Sequence, residues 1–421
     1  MKIVLLNTSD SKGGAAVACK RLARALQKQG QEVSLLVCEK TANDDFVTAI
    51  ISGPFKRLTG QLNFLLERLQ IFVVNRFSRQ NLFAVSTAST GFKLINHPLI
   101  KDADVIHIHW INQGFLTVRE VAKLNSLGKP VFWTMHDLWP VTGICHYAGQ
   151  CTHYTHECGL CPLLSHPRPT DLSHQVFQLK KQLFTNKRIH FVGCSEWIKC
   201  QAEISCLGEG NVFSSIPNPI DTSQYCPGDK LAARRYFSLP TSKKLILFGA
   251  QIATNKRKGL DYLISATQLL ADLSEQVELV FFGEIKTGFS STLGLKAHSL
   301  GYVSKPEDVV KMYQASDCFV IPSLEENLPN MVMEAMACGV PCVGFKTGGI
   351  PEMIIHKQTG YLADYQSAED LAKGIRFVLA KSDDLSFRDT IREFILTHYD
   401  EPLIAARYLS LYQEALENKG S

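Results

Sequence analysis

Apolar residues along the chain form short runs typical of buried strands, and these runs alternate with amphipathic stretches in two successive halves. The first half predicts a helix over Ala15–Gln29 and strands at Lys2–Asn7, Glu32–Val37, Ala103–His109, Pro130–Thr134, Ile189–Cys194 and Asn211–Ile216. The second half predicts helices at Asp261–Ser274, Glu307–Ala315 and Asn330–Cys338, and strands at Lys244–Gly249, Val277–Phe282, Ser299–Val303 and Cys318–Ile321. Strands that alternate with helices are typical of α/β folds, so two open α/β sheets are predicted.

Two such halves predict two domains with a ligand cleft between them, since 421 residues exceed what one core usually supports. The proline-rich segment that starts at Pro217 and continues to Pro227 is the predicted linker. We therefore expect domains at 1–220 and 221–400. Residues 401–421 are expected to form a C-terminal helix that crosses back to the first domain. The segment Ile391–Leu416 is expected to be mostly helical, with a break or kink at Pro402.

The composition of the chain argues against some classes of protein but does not indicate a function. A hydrophobic content of 45% and a charged content of 20% are typical of a globular protein, and a net charge of +4 is too mild to indicate a nucleic-acid partner. Met1 leads directly into a strand pattern rather than a signal peptide, and no apolar run has the length of a membrane span. These features predict a cytoplasmic protein.

One segment, Pro54–Phe83, is both apolar and basic. It contains a single acid, Glu67, and five basic residues: Lys56, Arg57, Arg68, Arg76 and Arg79. A basic amphipathic helix can lie on an anionic membrane surface, whereas the same pattern also suits a helix that docks on the core with solvated arginines. Both interpretations stay open.

Four of the thirteen cysteines lie close together in the segment 145–161: Cys145, Cys151, Cys158 and Cys161. The two-residue spacing of the last pair is typical of a zinc knuckle, so four thiolates could form a structural zinc site, with His146, His153 or His156 as substitutes. The alternative is free or redox-active thiols without a metal. A catalytic zinc is not expected, because no open fourth position is evident.

The stretch Ile321–Glu352 combines a strand end, a loop and a helix, and it carries Glu326 and Glu334 seven residues apart. The N-terminus of a helix is a natural anion site, and each carboxylate can accept several hydrogen bonds from hydroxyl groups. Phosphate together with many hydroxyls describes a sugar nucleotide.

Three further features follow predicted strands. Lys256, Arg257 and Lys258 lie in the loop Gln251–Gly259, where three cations could bind a diphosphate or could be a solvated basic turn. Gly13 and Gly14 precede the first helix, where they allow a ligand to approach closely or form only a tight turn. His136 follows the strand at Pro130–Thr134 and is expected to point towards a ligand crevice, unless it is a buried structural histidine.

These residues resemble the retaining glycosyltransferases of family 4, which have the GT-B architecture of two Rossmann-like domains. The stretch PSLEENLPNMVMEAMACGVPCV, beginning at Pro322, is similar to the Glu-x7-Glu signature of that family. Four shorter motifs also match: IPNPID at Ile216–Asp221, LGYV at Leu300–Val303, GGIPE at Gly348–Glu352 and TGYL at Thr359–Leu362. The resemblance covers nearly the whole chain.

The resemblance implies a role for individual positions. Glu326 would meet hydroxyls of the donor sugar, Glu334 would hold the ribose, and Lys258 would neutralise the diphosphate. His136 would face the donor sugar, and Gly13–Gly14 would lie near the phosphates and the acceptor. Asn327, Leu328 and Gly249 complete the expected nucleotide-sugar contacts. Two positions depart from the family pattern: Ala250 follows Gly249 where arginine is usual, so Arg257 would supply that charge, and Asn327 replaces a glycine.

The resemblance also implies an activity: transfer of a hexose with retention from a UDP-sugar or GDP-sugar, bound by the second domain, to an acceptor on the side of the first. The segment WTMHDLWPVTGICHY resembles family members of bacterial exopolysaccharide pathways, including colanic-acid-type enzymes; lipopolysaccharide or capsule synthesis is related. A lipid-linked saccharide acceptor at the inner membrane face is then expected. No catalytic metal is expected, because no Asp-x-Asp motif is suitably placed. The alternatives are a non-catalytic sugar-nucleotide-binding subunit, or another GT-B enzyme such as a sugar-nucleotide epimerase or a glycogen-synthase-like polymerase.

Overall fold

The computed structural model describes residues 1–51, 53–252, 256–284 and 293–420. Ala253, Thr254 and Asn255, which belong to the predicted basic loop, lie outside the described residues. The chain divides into two compact units. The first comprises Met1–Pro219 together with the residues from Ile404 onward, and the second comprises Ile220–Leu403.

In the described part of the first unit, seven strands form one parallel sheet in the order β3-β2-β1-β4-β5-β6-β7. The strands are β1 Lys2–Ser9, β2 Glu32–Glu39, β3 Val47–Ala49, β4 Val105–Ile108, β5 Val131–Met135, β6 His190–Gly193 and β7 Val212–Ser215. The helices before the second unit are α1 Gly14–Lys28, α2 Pro54–Val74, α3 Pro98–Asp102, α4 Val118–Asn125, α5 Leu172–Phe184 and α6 Glu196–Glu203. Every residue of β4 and β5 is buried, as expected for strands covered on both faces.

The described second unit has a six-stranded parallel sheet in the order β10-β9-β8-β11-β12-β13. Its strands are β8 Lys244–Ile252, β9 Val277–Glu284, β10 Ala297–Ser299, β11 Cys318–Ile321, β12 Cys342–Phe345 and β13 Gly360–Ala363. Its helices are α7 Lys230–Tyr236, α8 Leu260–Gln268, α9 Pro306–Gln314, α10 Asn330–Ala337, α11 Ile350–Met353, α12 Ala368–Lys381 and α13 Leu385–His398. In each sheet, early strands of the unit lie on one side of its first strand and later strands lie on the other side, so the strand order reverses there. Ligands of such open α/β sheets bind beside this point of reversal, at the carboxyl ends of the strands.

The last helix, α14 (Glu401–Gly420), is tied to the first sheet by a buried polar chain. Tyr412 Oη lies 2.6 Å from His107 Nδ1, and His107 Nε2 lies 2.7 Å from Thr134 Oγ1. Thr134 Oγ1 in turn lies 3.0 Å from Tyr408 Oη. Burial lowers the pKa of His107 to about 3, so this imidazole is neutral and acts only as a hydrogen-bonding link.

Two predicted elements can be compared closely with the structure. The predicted strand Ser299–Val303 is wrong, since the strand is Ala297–Ser299 and Gly301 has a φ of +64°, which an extended strand does not contain. The predicted break at Pro402 is confirmed, because α13 ends at His398 and α14 begins at Glu401. Proline is tolerated there in the first turn of the new helix.

Candidate functional site

In the second unit, Glu326 lies just after β11 and meets the cations that follow β8. Lys258 Nζ forms an ion pair with Glu326 Oε1, and Arg257 Nη1 lies 3.5 Å from the same oxygen. Ser323 Oγ donates a hydrogen bond of 3.2 Å to it as well. The adjacent strands β8 and β11 therefore bring the predicted carboxylate and two of the predicted cations together.

The two oxygens of the Glu326 carboxylate have different surroundings. All three contacts are made to Oε1, and no group in the described ranges donates to Oε2. The side chain is only 10% exposed, so its orientation is fixed by the protein. One oxygen is thus held by protein cations, while the other can accept a hydrogen bond from a ligand hydroxyl.

The charge state of Glu326 follows from these neighbours. Burial raises the pKa of its carboxyl, but the charges of Lys258 and Arg257 outweigh burial and hold the pKa below the ordinary value of 4.5. The carboxylate is therefore ionised at neutral pH. Since its pKa is depressed in the folded state, the stability it contributes is present above the unfolded-state pKa and is lost as pH falls through the folded-state pKa.

Two glycines let the surrounding loops approach one another. Gly259 ends the basic turn with a φ of +68°, and a Cβ atom there would lie 1.7 Å from the carbonyl oxygen of Pro322. Gly348 has a φ of +55°, and a Cβ atom there would lie 1.7 Å from the carbonyl oxygen of Glu326. Backbone hydrogen bonds also join the three loops, from Leu324 N to Arg257 O at 2.7 Å and from Gly349 N to Glu326 O at 3.3 Å. The sequence showed both glycines, but not what each one contacts.

Glu334 lies inside α10 and is 7% exposed. Its Oε2 accepts a hydrogen bond of 2.9 Å from Tyr313 Oη, a partner that the sequence did not indicate. Asn327 and Leu328, which precede α10, are buried at 4% and 7% exposure. The predicted helix Asn330–Cys338 is confirmed to within one residue.

Gly249, which precedes the departure from the family pattern at Ala250, lies close against the neighbouring strand β9. Gly249 is opposite Phe282 in the parallel register, and a Cβ atom at Gly249 would lie 1.9 Å from the Phe282 ring. A register shift in β8 follows between Gly249 and Ile252. Arg257, from the turn after β8, supplies a guanidinium beside Glu326.

In the first unit, His136 follows β5 directly and is half-buried. Its Nε2 lies 2.9 Å from Nδ1 of His109, and its Nδ1 lies 3.5 Å from the sulfur of Cys194. Burial lowers the pKa of His136 to about 4, although the neighbouring Asp137 opposes that change. His136 is therefore neutral at pH 7, and both of its ring nitrogens have protein neighbours.

Asp137 anchors the loop that carries His136. Its carboxylate accepts hydrogen bonds from Trp110 Nε1 and Trp139 N, each at 2.9 Å, and lies 2.7 Å from His146 Nδ1. Burial raises the pKa of Asp137, but His146 and these donors lower it further than burial raises it. His146, which the sequence offered as a substitute zinc ligand, is instead part of this network.

The glycine loop of the first unit lies at the start of α1, with Gly13 as its N-cap at a φ of +87°. Apart from its chain neighbours, no described residue has an atom within 4 Å of the position that a Cβ atom would take at Gly13. There is therefore space at Gly13 for another molecule to approach the backbone.

The zinc site predicted from Cys145, Cys151, Cys158 and Cys161 is not supported. Among the residues that the structure describes, no group of three or more His, Cys, Asp or Glu could hold a metal ion. Two of the four cysteines pack instead among apolar side chains. Cys158 packs in a buried cluster with Tyr154, Phe177 and Leu207, and Cys161 packs in another that includes Ile144.

Polar groups from α5 also order the cysteine-bearing loop. Lys180, with no exposed surface, donates to the carbonyl oxygens of Trp139 at 2.5 Å and Thr142 at 2.9 Å. Burial lowers the pKa of Lys180 to about 7. Asp171 accepts a hydrogen bond of 2.8 Å from Cys161 N. The loop is therefore held by the protein itself.

A cavity of about 730 Å³ opens in the first unit, where β2 and β3 end. Its lining mixes polar side chains, including Lys40, Thr41, Asn43 and Arg57, with apolar ones such as Ile51. None of the residues around Glu326 lines this cavity, so it is a separate feature of the first unit.

Comparison with known proteins places both units in glycosyltransferase families. Residues 12–224, half of the chain, match the model of glycosyltransferase family 4, and residues 229–393 match the model of glycosyl transferases group 1. The D-inositol 3-phosphate glycosyltransferase of Corynebacterium aurimucosum is 26% identical over 97% of this chain and 92% of its own length. WcaC of Escherichia coli K12, named as a colanic acid biosynthesis glycosyl transferase, is 24% identical over 98% of this chain and 100% of its own length.

Solved structures share the fold at low identity. A sucrose-phosphate synthase from Thermosynechococcus elongatus superposes with a TM-score of 0.69 at 18% identity, over 99% of both chains. WaaG, a glycosyltransferase involved in lipopolysaccharide biosynthesis, gives a TM-score of 0.63 at 14% identity, over 97% of this chain and 99% of its own. The Anabaena protein HepE, solved in complex with UDP-glucose, gives 0.62 at 17% identity, over 97% and 99%. The two Rossmann-like units are thus those of the GT-B fold, and the chain belongs to glycosyltransferase family 4.

Proposed function

We propose that this glycosyltransferase moves a hexose, with retention, from a nucleotide-diphosphate sugar to a hydroxyl of a lipid-linked oligosaccharide in cell-surface polysaccharide synthesis. The proposal rests on one observation, which is that Lys258 and Arg257 both contact the same oxygen of Glu326. This arrangement joins two cations suited to phosphate with a carboxylate suited to sugar hydroxyls.

Breaking the anomeric bond builds negative charge on the leaving diphosphate. Lys258 and Arg257 are already held in place by Glu326 and by the backbone of the neighbouring loop, so they need little rearrangement to stabilise that charge. Protein cations then do the work for which other enzymes recruit a divalent metal.

Glu326 is proposed to orient the sugar through Oε2, because Oε1 is occupied by the cations. Glu334, held by Tyr313, is proposed to accept hydrogen bonds from the ribose. Asn327, Leu328 and Gly249 are proposed to contact the nucleotide sugar as well. His136 is proposed to face the donor sugar, and Gly13–Gly14 are proposed to lie near the phosphates and the acceptor. Both of these roles rest on the family resemblance.

Retention is proposed to arise by attack from the face that the diphosphate leaves. A retaining hydrolase uses two carboxylates as acid and nucleophile, whereas both carboxylates here are assigned to hydroxyl recognition. The leaving phosphate oxygen would then accept the proton of the attacking hydroxyl, and the new glycosidic bond would form as the bond to phosphate breaks.

The proposed acceptor is supported by the names of related proteins and by a cavity in the first unit. WcaC is named for colanic acid biosynthesis and WaaG for lipopolysaccharide biosynthesis. The cavity lined by Lys40 and Arg57 could hold a saccharide or phosphate group of such an acceptor. Relatives named for D-inositol 3-phosphate make a soluble phosphorylated polyol the second acceptor class to assay.

The nucleotide is proposed to be a UDP-sugar, because HepE was solved with UDP and with UDP-glucose. A thermal-shift screen with UDP-sugars and GDP-sugars separates the two bases, since a ligand that binds only the native state raises its melting temperature. The hexose is identified by the same screen.

Replacing Lys258 with glutamine is expected to weaken binding of UDP by about 10- to 100-fold, since a hydrogen bond to a charged group contributes about 1.5–3 kcal/mol. Lys256→Gln is the matched control, because Lys256 is exposed in the same short turn. It should change the affinity about twofold or less. Calorimetric titration of UDP measures both variants, and equal affinities for Lys258→Gln and the wild type would remove Lys258 from the diphosphate site.

A further inference from the structure

The apolar stripe of α2 faces solvent rather than the core. Leucine, phenylalanine and valine side chains recur along the helix at three- and four-residue intervals, which is the spacing of one helix face. Their exposed fractions are high: Phe55 86%, Leu58 55%, Leu62 46%, Leu65 58%, Leu66 51%, Leu69 54% and Val73 48%. Phe77 at 69% and Phe83 at 66% continue this surface beyond the helix, and we call the nine residues the outer stripe.

The opposite face of α2 buries charge instead. Glu67 has no exposed surface, and its Oε1 accepts hydrogen bonds from the backbone of Thr87 at 2.8 Å and Ala88 at 2.9 Å. Arg68 is 6% exposed and donates to the carbonyl oxygens of Leu82 at 2.5 Å and Val85 at 3.0 Å. The two side chains also pair with each other at 3.2 Å.

Other contacts fix the same orientation. Ile71 is buried, and Asn75, just after the helix, accepts a hydrogen bond of 2.6 Å from Ser165 N. A Cβ atom at Gly60 would lie 2.3 Å from the side chain of Ile51, so the helix approaches closely there. Rotating α2 to bury the outer stripe would break the bonds to Glu67 and Arg68. The outward orientation is therefore built into the fold.

Charge around the outer stripe is positive at both ends. Arg57 near the start of α2, and Arg76 and Arg79 after its end, are exposed. Arg57 lies 3.8 Å from the exposed Glu39. The only acid between residues 53 and 83 is Glu67, which is buried against Arg68. An exposed apolar face flanked by cations complements a surface whose outer layer is anionic and whose interior is apolar.

We propose that the outer stripe docks the first unit on an anionic lipid bilayer, with α2 lying in the interface. Within the described ranges, no helix is long and apolar enough to cross a membrane. The proposal deepens the proposed function, because a lipid-linked acceptor would lie in the same membrane. It also places the cavity lined by Arg57 beside that surface.

A second copy of the chain fits the outer stripe less well than a bilayer does. In a symmetric dimer the same patch lies on both subunits. Because both ends of the stripe are basic, arginines of one copy would meet arginines of the other whichever way the helices ran. Anionic headgroups meet the same arginines with opposite charge.

Sedimentation of the purified full-length protein with vesicles tests the proposal. The vesicles contain phosphatidylcholine alone or with part of it replaced by phosphatidylglycerol, and neither contains a saccharide acceptor. We expect binding to the mixed vesicles, with weaker binding to phosphatidylcholine alone. The triple variant Leu58→Ser, Leu65→Ser, Leu69→Ser should reduce partition into mixed vesicles by ~100-fold or more.

The matched control removes three exposed leucines from the second unit: Leu231→Ser, Leu269→Ser, Leu385→Ser, at 47%, 48% and 70% exposure. It should bind vesicles as the wild type does. Replacing Arg76 and Arg79 with glutamine should abolish the preference for phosphatidylglycerol. Melting temperatures near that of the wild type show that the variants fold, as expected for exposed positions.

Two results would overturn the proposal: equal vesicle binding by the outer-stripe variant and the wild type, or a concentration-dependent dimer that this variant abolishes. The proposed function is judged separately by stabilisation with nucleotide sugars without vesicles. A protein that is stabilised by UDP but fails to bind vesicles contradicts only the membrane inference. A protein that binds vesicles but no nucleotide sugar contradicts only the proposed function.

Discussion

Replacing Glu326 with glutamine is expected to lower kcat for sugar transfer by about 100- to 1,000-fold, the usual cost of losing one preorganised polar group in an active site. Glutamine keeps the shape of the side chain, but it no longer carries the charge that holds Lys258 and Arg257. Its amide is also a weaker acceptor for a sugar hydroxyl than a carboxylate. Affinity for UDP should be retained or increase, because both cations are released for the diphosphate.

Stability should also fall in the Glu326→Gln variant. The side chains of Lys258 and Arg257 are 19% and 23% exposed, so water reaches the cations only in part. Loss of their charged partner should lower the free energy of unfolding by about 1–3 kcal/mol. The variant should still fold, which circular dichroism and the UDP titration verify.

The matched control is Glu325→Gln, the same chemical change one residue earlier. Glutamine at position 325 leaves in place the carbonyl oxygen to which Arg257 Nη1 donates a hydrogen bond. Transfer by the control should stay within a few-fold of wild type. If Glu326→Gln transferred sugar as fast as this control, Glu326 would not be part of the reacting site.

Replacing Gly348 with alanine is expected to damage both folding and activity. The added Cβ atom would lie 1.7 Å from the carbonyl oxygen of Glu326, so the loop that carries the carboxylate must move. A left-handed backbone costs alanine about 1–2 kcal/mol, and overpacking typically costs about 1–3 kcal/mol more. Displacement of Glu326 by about 1 Å is expected to reduce transfer by ~100-fold.

Gly301→Ala separates these two costs. Gly301 has a φ of +64°, close to that of Gly348, but apart from its chain neighbours no described residue lies within 4 Å of its Cβ position. Gly301→Ala should lose only the stability that a left-handed backbone costs alanine, and it should keep the transfer activity of the wild type. Chemical denaturation measures the stability of the two variants, and transfer assays measure their activity. If Gly348→Ala and Gly301→Ala lost equal stability and equal activity, the contact with Glu326 would have no effect.

Much of the fold follows from the hydrophobic pattern, because parallel strands buried on both faces leave continuous apolar runs such as Val131–Met135. The helix Asn330–Ala337 and the break before Pro402 could also be predicted, since local residue preferences decide them. Strand ends were less certain. The strand Ala297–Ser299 lies earlier than predicted, because the apolar residues at 300–303 surround a left-handed glycine.

The candidate site was predicted residue by residue only where the family motif supplied the residues. Sequence spacing placed Glu326 and Lys258 after two strands, and the strand order then brought them into contact. It did not reveal that Tyr313 holds Glu334 or that His109 faces His136, since those contacts join distant segments. The periodicity of α2 predicted an apolar face but not its direction, which depends on the buried bonds of Glu67 and Arg68.

The most direct test of the account follows the anomeric configuration of the first product by nuclear magnetic resonance. The wild type and Glu326→Gln are incubated in parallel with an acceptor and with the nucleotide sugar that stabilises the protein most. The account predicts a first-formed product with the anomeric configuration of the donor, made rapidly by the wild type and slowly by the variant. A product of inverted configuration, or equal rates for the two proteins, would contradict it.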